Sequence, residues 1–257
     1  MRRATLAEWT KLRTVPGAAG LLAGTVVLTV ALGALAATVV RCEAAGCGAD
    51  ATRLALTGVQ LGQALVALLA VTAVCGEYGS GMIRTSLAAV PRRGVLLAAK
   101  AAVVTGPALA AGAVAVLGSL LAGRLLLPGS GFTPEHGYPP LSLLDGPTLR
   151  AAAGSVLYFG LVALLGVGIA VAVRDPAAAG VVLGLLYLFP LAVGLVADED
   201  VQRLLWTVSP TNAGLAVQAT TDAAALPLTP WAGLGVLAAW TAAALALGAL
   251  VLHRRDA

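Results

Sequence analysis

Long apolar runs, separated by short polar segments, make up most of the chain. A helix that crosses the hydrocarbon core of a bilayer needs roughly 20 apolar residues. Six runs approach or exceed that length, at positions 17–40, 56–76, 95–123, 151–173, 177–197 and 231–252. None of them alternates apolar and polar residues as membrane barrel strands do. The pattern predicts an all-α polytopic membrane protein, with six transmembrane helices forming a single transmembrane domain over residues 1–257.

A short amphipathic segment over residues 4–15 precedes the first run. Leu6, Trp9 and Leu12 recur at spacing three and share one face, whereas three polar residues lie away from that stripe: Glu8, Lys11 and Thr14. Such a segment predicts an interfacial helix in the headgroup plane; the alternative is a polar tail with a chance stripe. The apolar run that follows has about 24 residues, more than the 7–15 of a signal-peptide core. We therefore expect a transmembrane helix there, and not a cleaved signal.

Composition excludes a water-soluble globule. Hydrophobic residues make up 59% of the chain and charged residues 11%, whereas soluble domains carry about 25% charged residues. The net charge of +4 does not indicate nucleic-acid binding, because the basic residues are scattered at the ends of the apolar runs and form no continuous stripe.

The distribution of basic residues predicts the orientation. With a cytoplasmic N-terminus and six spans, eleven Lys and Arg residues fall on the inner side and five on the outer side, as the positive-inside rule requires. Both termini and segment 77–93 are then cytoplasmic. Cys42 and Cys47 fall on the outer side, where they form either a disulfide or a pair of free thiols. Cys75 falls on the inner side and is expected to be reduced.

Several kinds of chemistry have no counterpart in the sequence. No lysine lies in a phosphate-binding GxxxxGK[ST] loop, and neither histidine has metal-ligand spacing. We therefore predict no catalytic residue, no metal and no cofactor in this chain. Gln60 and Gln63, in the outer half of the second run, either line a translocation pathway or join helices by hydrogen bonds.

The polar segment 77–93 carries a family resemblance. Its residues Glu77-Tyr78-x-x-Gly81-x-Ile83-Arg84-x-x-Leu87, followed by Pro91-Arg92-Arg93, resemble the cytoplasmic loop of ABC-2 type transporter permeases. Residues 7–13 and 210–214 are similar to segments of such permeases from actinobacteria. Met82 departs from the pattern, since relatives more often have threonine there.

The resemblance implies an N-terminal elbow helix and six spans in the bacterial inner membrane. It also implies a coupling helix within 77–93 that docks on a separate ATPase subunit, which binds ATP and Mg. Two ATPases and two permeases, either identical or sister chains, would form the working transporter, which we expect to be an exporter.

Five residues form the expected docking set. Glu77 and Arg84 would bond to the ATPase, Tyr78 and Ile83 would fill an apolar groove, and Gly81 would permit a tight turn. An ordinary loop whose charges only set topology is the alternative for this segment. For the whole chain, the alternatives are a membrane sensor or scaffold without transport and, third, an ion-coupled secondary transporter. The latter usually shows charges in the middle of the spans, which this sequence lacks.

Overall fold

The computed structural model describes residues 2–14, 17–42, 47–90, 92–221 and 225–254, except for the side chain of Arg3. These residues are mostly helical, and no strand occurs among them. The α-helices are α1 Arg2–Thr14, α2 Ala18–Val39, α3 Ala51–Ala55, α4 Val59–Gly79, α5 Met82–Ala89, α6 Arg93–Leu126, α7 Gly146–Val173, α8 Ala178–Leu183, α9 Phe189–Gly194, α10 Glu199–Val208, α11 Pro210–Leu215 and α12 Pro230–Arg254.

Five of the helical segments are long and apolar enough to cross a membrane, as in a multi-pass membrane protein. They are α2, α4, α6 with the 3₁₀ turn that follows it, α7 and α12. The predicted fifth run is a shorter apolar segment, Ala178–Gly194. It consists of α8, the π-helical turn Gly184–Leu188 and α9.

The π-helical turn lies just before Pro190, which has no backbone N–H to donate one turn back. The carbonyl of Leu186 is therefore left without its usual helical partner. The hydroxyl of Thr211 donates to this carbonyl at 2.8 Å. Because Thr211 belongs to α11, this bond fixes the irregular segment to the connection that leads into α12.

The bundle has two ends, which we name after one residue at each. The 21 residues of α4 rise by about 30 Å and separate the Asp50 end from the Glu77 end. At the Glu77 end, Arg93 donates to the carbonyl of Leu252 at 2.5 Å and Arg174 to that of Val251 at 3.0 Å. These arginines satisfy carbonyls in the last turn of α12, so α12 ends beside the start of α6 and the residue that follows α7.

The core lies around α7, which packs against α4, α6 and α12. Its side chains Tyr158, Phe159 and Leu165 are fully buried. α7 begins at Gly146, five residues before the predicted boundary, because Asp145 caps it by accepting from the amide of Thr148 at 3.2 Å. An apolar run does not include such a polar first turn.

A disulfide closes the Asp50 end. Cys42 and Cys47 are bonded, with an S–S distance of 2.04 Å. Of the two alternatives that the sequence left open, the structure has the disulfide. Cys75 is free and buried. Residues 43–46, between the bonded cysteines, lie outside the described part of the chain.

Asp50 ties two distant parts of the chain together at the same end. Its carboxylate accepts from the amide of Arg53 at 3.0 Å, from the hydroxyl of Thr220 at 2.8 Å and from the amide of Thr221 at 3.0 Å. The amide of Thr220 donates to it as well. Burial alone would raise the pKa of Asp50, but these hydrogen bonds outweigh burial and hold its pKa below the ordinary value.

Asp50→Asn is expected to lower stability at neutral pH by about 1–3 kcal/mol, because the amide cannot accept charge-assisted bonds as the carboxylate does. A carboxyl group whose pKa is lower in the folded than in the unfolded protein stabilises the fold at pH values above its unfolded pKa of about 3.9. This stabilisation is lost as the pH falls through the pKa of the folded state. Thermal unfolding of the detergent-solubilised protein between pH 7 and pH 3 measures both effects. The wild type should lose more stability on acidification than Asp50→Asn, with Glu135→Gln on an exposed loop as control. Parallel pH curves for wild type and Asp50→Asn would contradict this assignment.

Candidate functional site

Segment 77–93 contains a helix of its own. α4 continues to Gly79, and Gly81 then adopts the left-handed conformation with φ of +71°. A residue with a side chain is strained there, so glycine allows the sharp turn. α5 follows over Met82–Ala89, and α6 begins at Arg93. Pro91 lies outside the described residues.

α5 has an inner and an outer face. Ile83 and Ser86 are buried, at the three-residue spacing of one helix face. Met82, Arg84 and Thr85 are exposed. α5 is therefore fixed to the bundle on one side and presents a basic residue on the other.

The inner face of α5 adjoins a group of ionised side chains that we call the four-charge cluster: Glu8 and Lys11 of α1, Glu77 of α4 and Lys100 of α6. The ammonium of Lys100 lies 2.7 Å from a carboxylate oxygen of Glu8 and 2.5 Å from one of Glu77. The ammonium of Lys11 lies 2.7 Å and 3.1 Å from oxygens of the same two carboxylates. Each cation thus bridges both anions, and the formal charge of the cluster is zero.

Ser86 links α5 to this cluster. Its hydroxyl accepts from the ammonium of Lys11 at 2.8 Å and lies 3.3 Å from an oxygen of Glu77. Through this one side chain and the four charges, polar bonds join α1, α4, α5 and α6 at the Glu77 end.

Three of the four charged side chains are buried, which determines the energetics of the cluster. Glu8 and Glu77 are each 6% exposed and Lys100 is 4% exposed. Isolated charges would be very costly at such positions, but mutually paired and hydrogen-bonded charges are tolerated. Removing one member therefore leaves an uncompensated buried charge, which is much worse than removing an exposed ion pair.

Lys11 lies outside the candidate spans. Two opposing effects determine its pKa, namely burial and the bonds to the carboxylates. Burial of the ammonium lowers the pKa, but the bonds to Glu8 and Glu77 together outweigh it, so the pKa of Lys11 is raised above its ordinary value. A lysine whose pKa is higher in the folded than in the unfolded protein stabilises the fold at every pH below its unfolded pKa of about 10.4. Lys11 is accordingly charged at neutral pH.

The charges of the cluster pair with one another across three helices. A cavity of about 290 Å³ is lined by all four charged residues, together with Leu12, Thr72 and Val103 among others. Both ammonium groups, however, already donate to the two carboxylates. In the described part of the chain, no group of three or more His, Cys, Asp or Glu residues could hold a metal ion.

The structure places the five predicted docking residues differently from one another. Gly81 and Arg84 are exposed, as a partner contact requires. Tyr78 is half-buried, with the guanidinium of Arg174 5.5 Å from its ring centroid. Glu77 and Ile83 are buried, so the expectation that they contact a partner is corrected. Glu77 lies in the last turn of α4, where Lys100 and Lys11 already occupy its carboxylate.

The predicted stripe of α1 is also divided. Leu12 packs against Ala18 and Leu69, whereas Leu6 and Trp9 are exposed. The polar residues Glu8 and Lys11, which we expected to lie away from the apolar stripe, face into the bundle. The apolar stripe of α1 does not predict which face packs on the bundle, because Lys100 of the bundle pairs with Glu8 of α1.

Of the two glutamines, Gln63 joins helices. It is fully buried and accepts from the hydroxyl of Tyr158 on α7. This geometry is the hydrogen-bonding alternative for Gln63. The side chain of Gln60 is exposed, and its backbone carbonyl accepts from the hydroxyl of Tyr187 at 2.6 Å. A pathway role for Gln60 stays a prediction.

Sequence reasoning missed the four-charge cluster, although one signal pointed to it. Lys100 lies eight residues into an apolar helix, and a charge within such a helix usually has a partner nearby. The sequence does not say which carboxylates supply that partner, because Glu8 and Glu77 are 92 and 23 positions away.

Comparison with known proteins adds no family assignment. No family model matches the chain, and no curated protein is similar to it at a significant level.

Proposed function

We propose that this chain is the transmembrane permease subunit of an ABC-2-type exporter, driven by ATP hydrolysis on a separate ATPase subunit. One observation carries the proposal. An eight-residue helix, α5, stands between two candidate spans, is exposed on its outer side, and is fixed on its inner side to three other helices. A short, rigid, exposed helix of this kind can transmit a displacement from a soluble partner into the bundle.

The docking surface in this proposal comprises four of the exposed residues of the α4–α5 turn and of α5, namely Gly81, Met82, Arg84 and Thr85. Arg84 provides a guanidinium that can bond to a carboxylate of the ATPase. Met82 is 44% exposed and can fill an apolar groove, because its flexible thioether adapts to irregular surfaces. Glu77 and Ile83 are buried and contribute by fixing α5 to the bundle.

Six crossings are part of the proposal, with Ala178–Gly194 as the fifth. Asp175 contacts Cys75 near the Glu77 end of α4, and Tyr187 bonds to Gln60 near the other end. This segment therefore runs beside most of the length of α4, which supports a crossing despite its 17 residues.

The Glu77 end is proposed to face the cytoplasm of a bacterial cell, with α1 as the elbow helix. The disulfide at the opposite end supports this orientation, because disulfides persist in oxidising compartments. The concentration of basic residues at the Glu77 end supports it as well.

In the proposed cycle, two ATPase subunits bind ATP and Mg and close on each other beneath two permease copies or a pair of sister chains. Each ATPase displaces α5, and the four-charge cluster moves α1, α4 and α6 with it. The helices then rock between inward-open and outward-open arrangements, which couples ATP binding to access of the substrate site.

Photo-crosslinking tests the docking surface. A photoreactive phenylalanine in place of Arg84 is expected to capture a polypeptide with a phosphate-binding loop from the native membranes. The same residue in place of Leu144, which is 97% exposed and lies towards the Asp50 end, should not. Capture of no ATPase from either position would favour the sensor or scaffold. Transport that continues without ATP and follows an ion gradient would indicate a secondary transporter.

A further inference from the structure

An apolar groove opens on the surface between α1, α2 and α6. It is lined by Leu6 and Trp9 of α1, by Val26 of α2, and by Gly106 and Val114 of α6. Its volume is about 820 Å³. Leu6 is 57% and Trp9 41% exposed, so α1 leaves large apolar side chains uncovered along it.

The face of α1 that lines this groove also carries two basic residues. At 100° per residue, Arg2 and Arg13 project from the same side of α1 as Leu6 and Trp9, opposite the side that bears Glu8 and Lys11. Both arginines are exposed. One face of α1 thus supplies Glu8 and Lys11 to the four-charge cluster. The opposite face carries Leu6 and Trp9 with an arginine on either side of them along the helix.

We propose that this groove binds an anionic phospholipid of the leaflet at the Glu77 end. One acyl chain lies between α2 and α6, Trp9 lies at the level of the glycerol backbone, and Arg2 or Arg13 bonds to the phosphate. Guanidinium groups bind phosphate oxygens in a bidentate manner. Tryptophan is enriched at the membrane interface.

The dimensions of the groove fit a chain from one leaflet. The residues of α6 that line it extend from Ala102 to Val114, which corresponds to about 18 Å of helix. Half of the hydrocarbon core of a bilayer is about 15 Å thick. The groove therefore starts beside the interfacial residues of α1 and ends near the middle of the bilayer, as an acyl chain does.

Two features favour a lipid over a second copy of this chain as the occupant. Arginine side chains flank the apolar surface, and a second copy would bring the same arginines against it. The groove is also open at Gly106, where an added Cβ would meet no atom within 4 Å, so the space beside α6 can accept an acyl chain. Because α1 also holds the four-charge cluster, an occupied groove would help to fix the helix to which α5 is attached.

The experiment uses the full chain in nanodiscs of phosphatidylcholine that contain a small fraction of phosphatidylglycerol with a photoactivatable acyl chain. Adducts on Val26, Ala110 and Val114 are expected, and they should exceed those from the matched phosphatidylcholine probe by about fivefold for each arginine engaged. The exposed face of α12 at Leu247 and Leu250 serves as the internal reference for lipid that is not bound specifically.

Three variants locate the site. Arg2→Gln with Arg13→Gln should bring the ratio of the two probes close to one, whereas Arg254→Gln, at the same end of the bundle, should leave it unchanged. Gly106→Leu should remove the groove adducts by filling the groove, and Ala110→Phe should do the same if the first variant folds poorly. Gly94→Leu, also at an open position on α6 but outside the groove lining, is the matched control.

Equal labelling by the two probes in the wild type, or equal labelling of the groove and α12, would overturn the proposal. So would groove adducts that persist in Gly106→Leu and Ala110→Phe. If photoreactive residues in the groove join two copies of the chain and no lipid, the groove is a protein interface and the proposal is wrong. None of these readouts depends on an ATPase, so they are independent of the proposed function.

Discussion

Glu77→Gln is expected to lower the free energy of unfolding by about 3–5 kcal/mol, the usual cost of removing one partner from a buried ion pair. Lys11 and Lys100 would then share only Glu8, and the buried cluster would carry a net positive charge. Unfolding of the purified protein in mixed micelles, followed by circular dichroism, measures the loss.

A double variant separates charge balance from lost contacts. Glu77→Gln combined with Lys100→Gln restores neutrality and leaves the pair between Glu8 and Lys11 intact. It is expected to be destabilised by less than the sum of the two single variants, with a coupling of about 1–3 kcal/mol. Arg84→Gln, on the exposed face of α5, should change stability by no more than about 0.5 kcal/mol. Additive losses would show that the four charges do not act as one unit.

Gly58→Ala is expected to destabilise the bundle by an amount at the upper end of the about 1–3 kcal/mol typical of overpacking. A Cβ at this position would lie 2.0 Å from the carbonyl oxygen and 2.7 Å from the carbonyl carbon of Thr29. These are backbone atoms of α2, so they cannot move aside as a flexible side chain does. Relief requires α2 and α4 to separate, which weakens their packing over several turns.

Gly180→Ala is the matched control, because a Cβ there would meet no atom within 4 Å. Alanine also favours a helix over glycine by about 1 kcal/mol, so this variant should be neutral or slightly stabilising. Thermal unfolding of both variants in the same detergent compares them. Equal stability of the two would show that α2 and α4 do not approach each other closely at Gly58.

The spans were largely predictable because their signal is local. A long apolar run is helical wherever it packs, and five of the six predicted runs correspond to helices long enough to cross a membrane. The run 177–197 was harder, because Pro190 and the π-helical turn shorten the regular helix. The bond from Thr211 that satisfies Leu186 joins positions that only the tertiary fold brings together.

The candidate site was less predictable because it depends on which charged side chains of different helices form ion pairs in the fold. Segment 77–93 contains the short helix α5, and Arg84 is exposed on it. The role of Glu77 was wrong, since local sequence shows a charge near a helix end but not the lysines that face it from α1 and α6. Whether a residue is exposed depends on packing among distant segments, and this packing buries Glu77 instead of exposing it to a partner.

ATP hydrolysis by the complex purified from its native membranes tests the central claim most directly. Detergent extracts are affinity-purified on a tag carried by this chain, reconstituted into liposomes and assayed with Mg-ATP. The wild type and Arg84→Glu are compared, with Arg254→Glu as the control at the same end of the bundle. We predict hydrolysis together with a co-purified P-loop ATPase for the wild type and for Arg254→Glu, and at least a tenfold loss of both for Arg84→Glu. A wild-type chain that is folded but carries neither hydrolysis nor an ATPase would contradict the claim that it is the permease of an ATP-driven transporter.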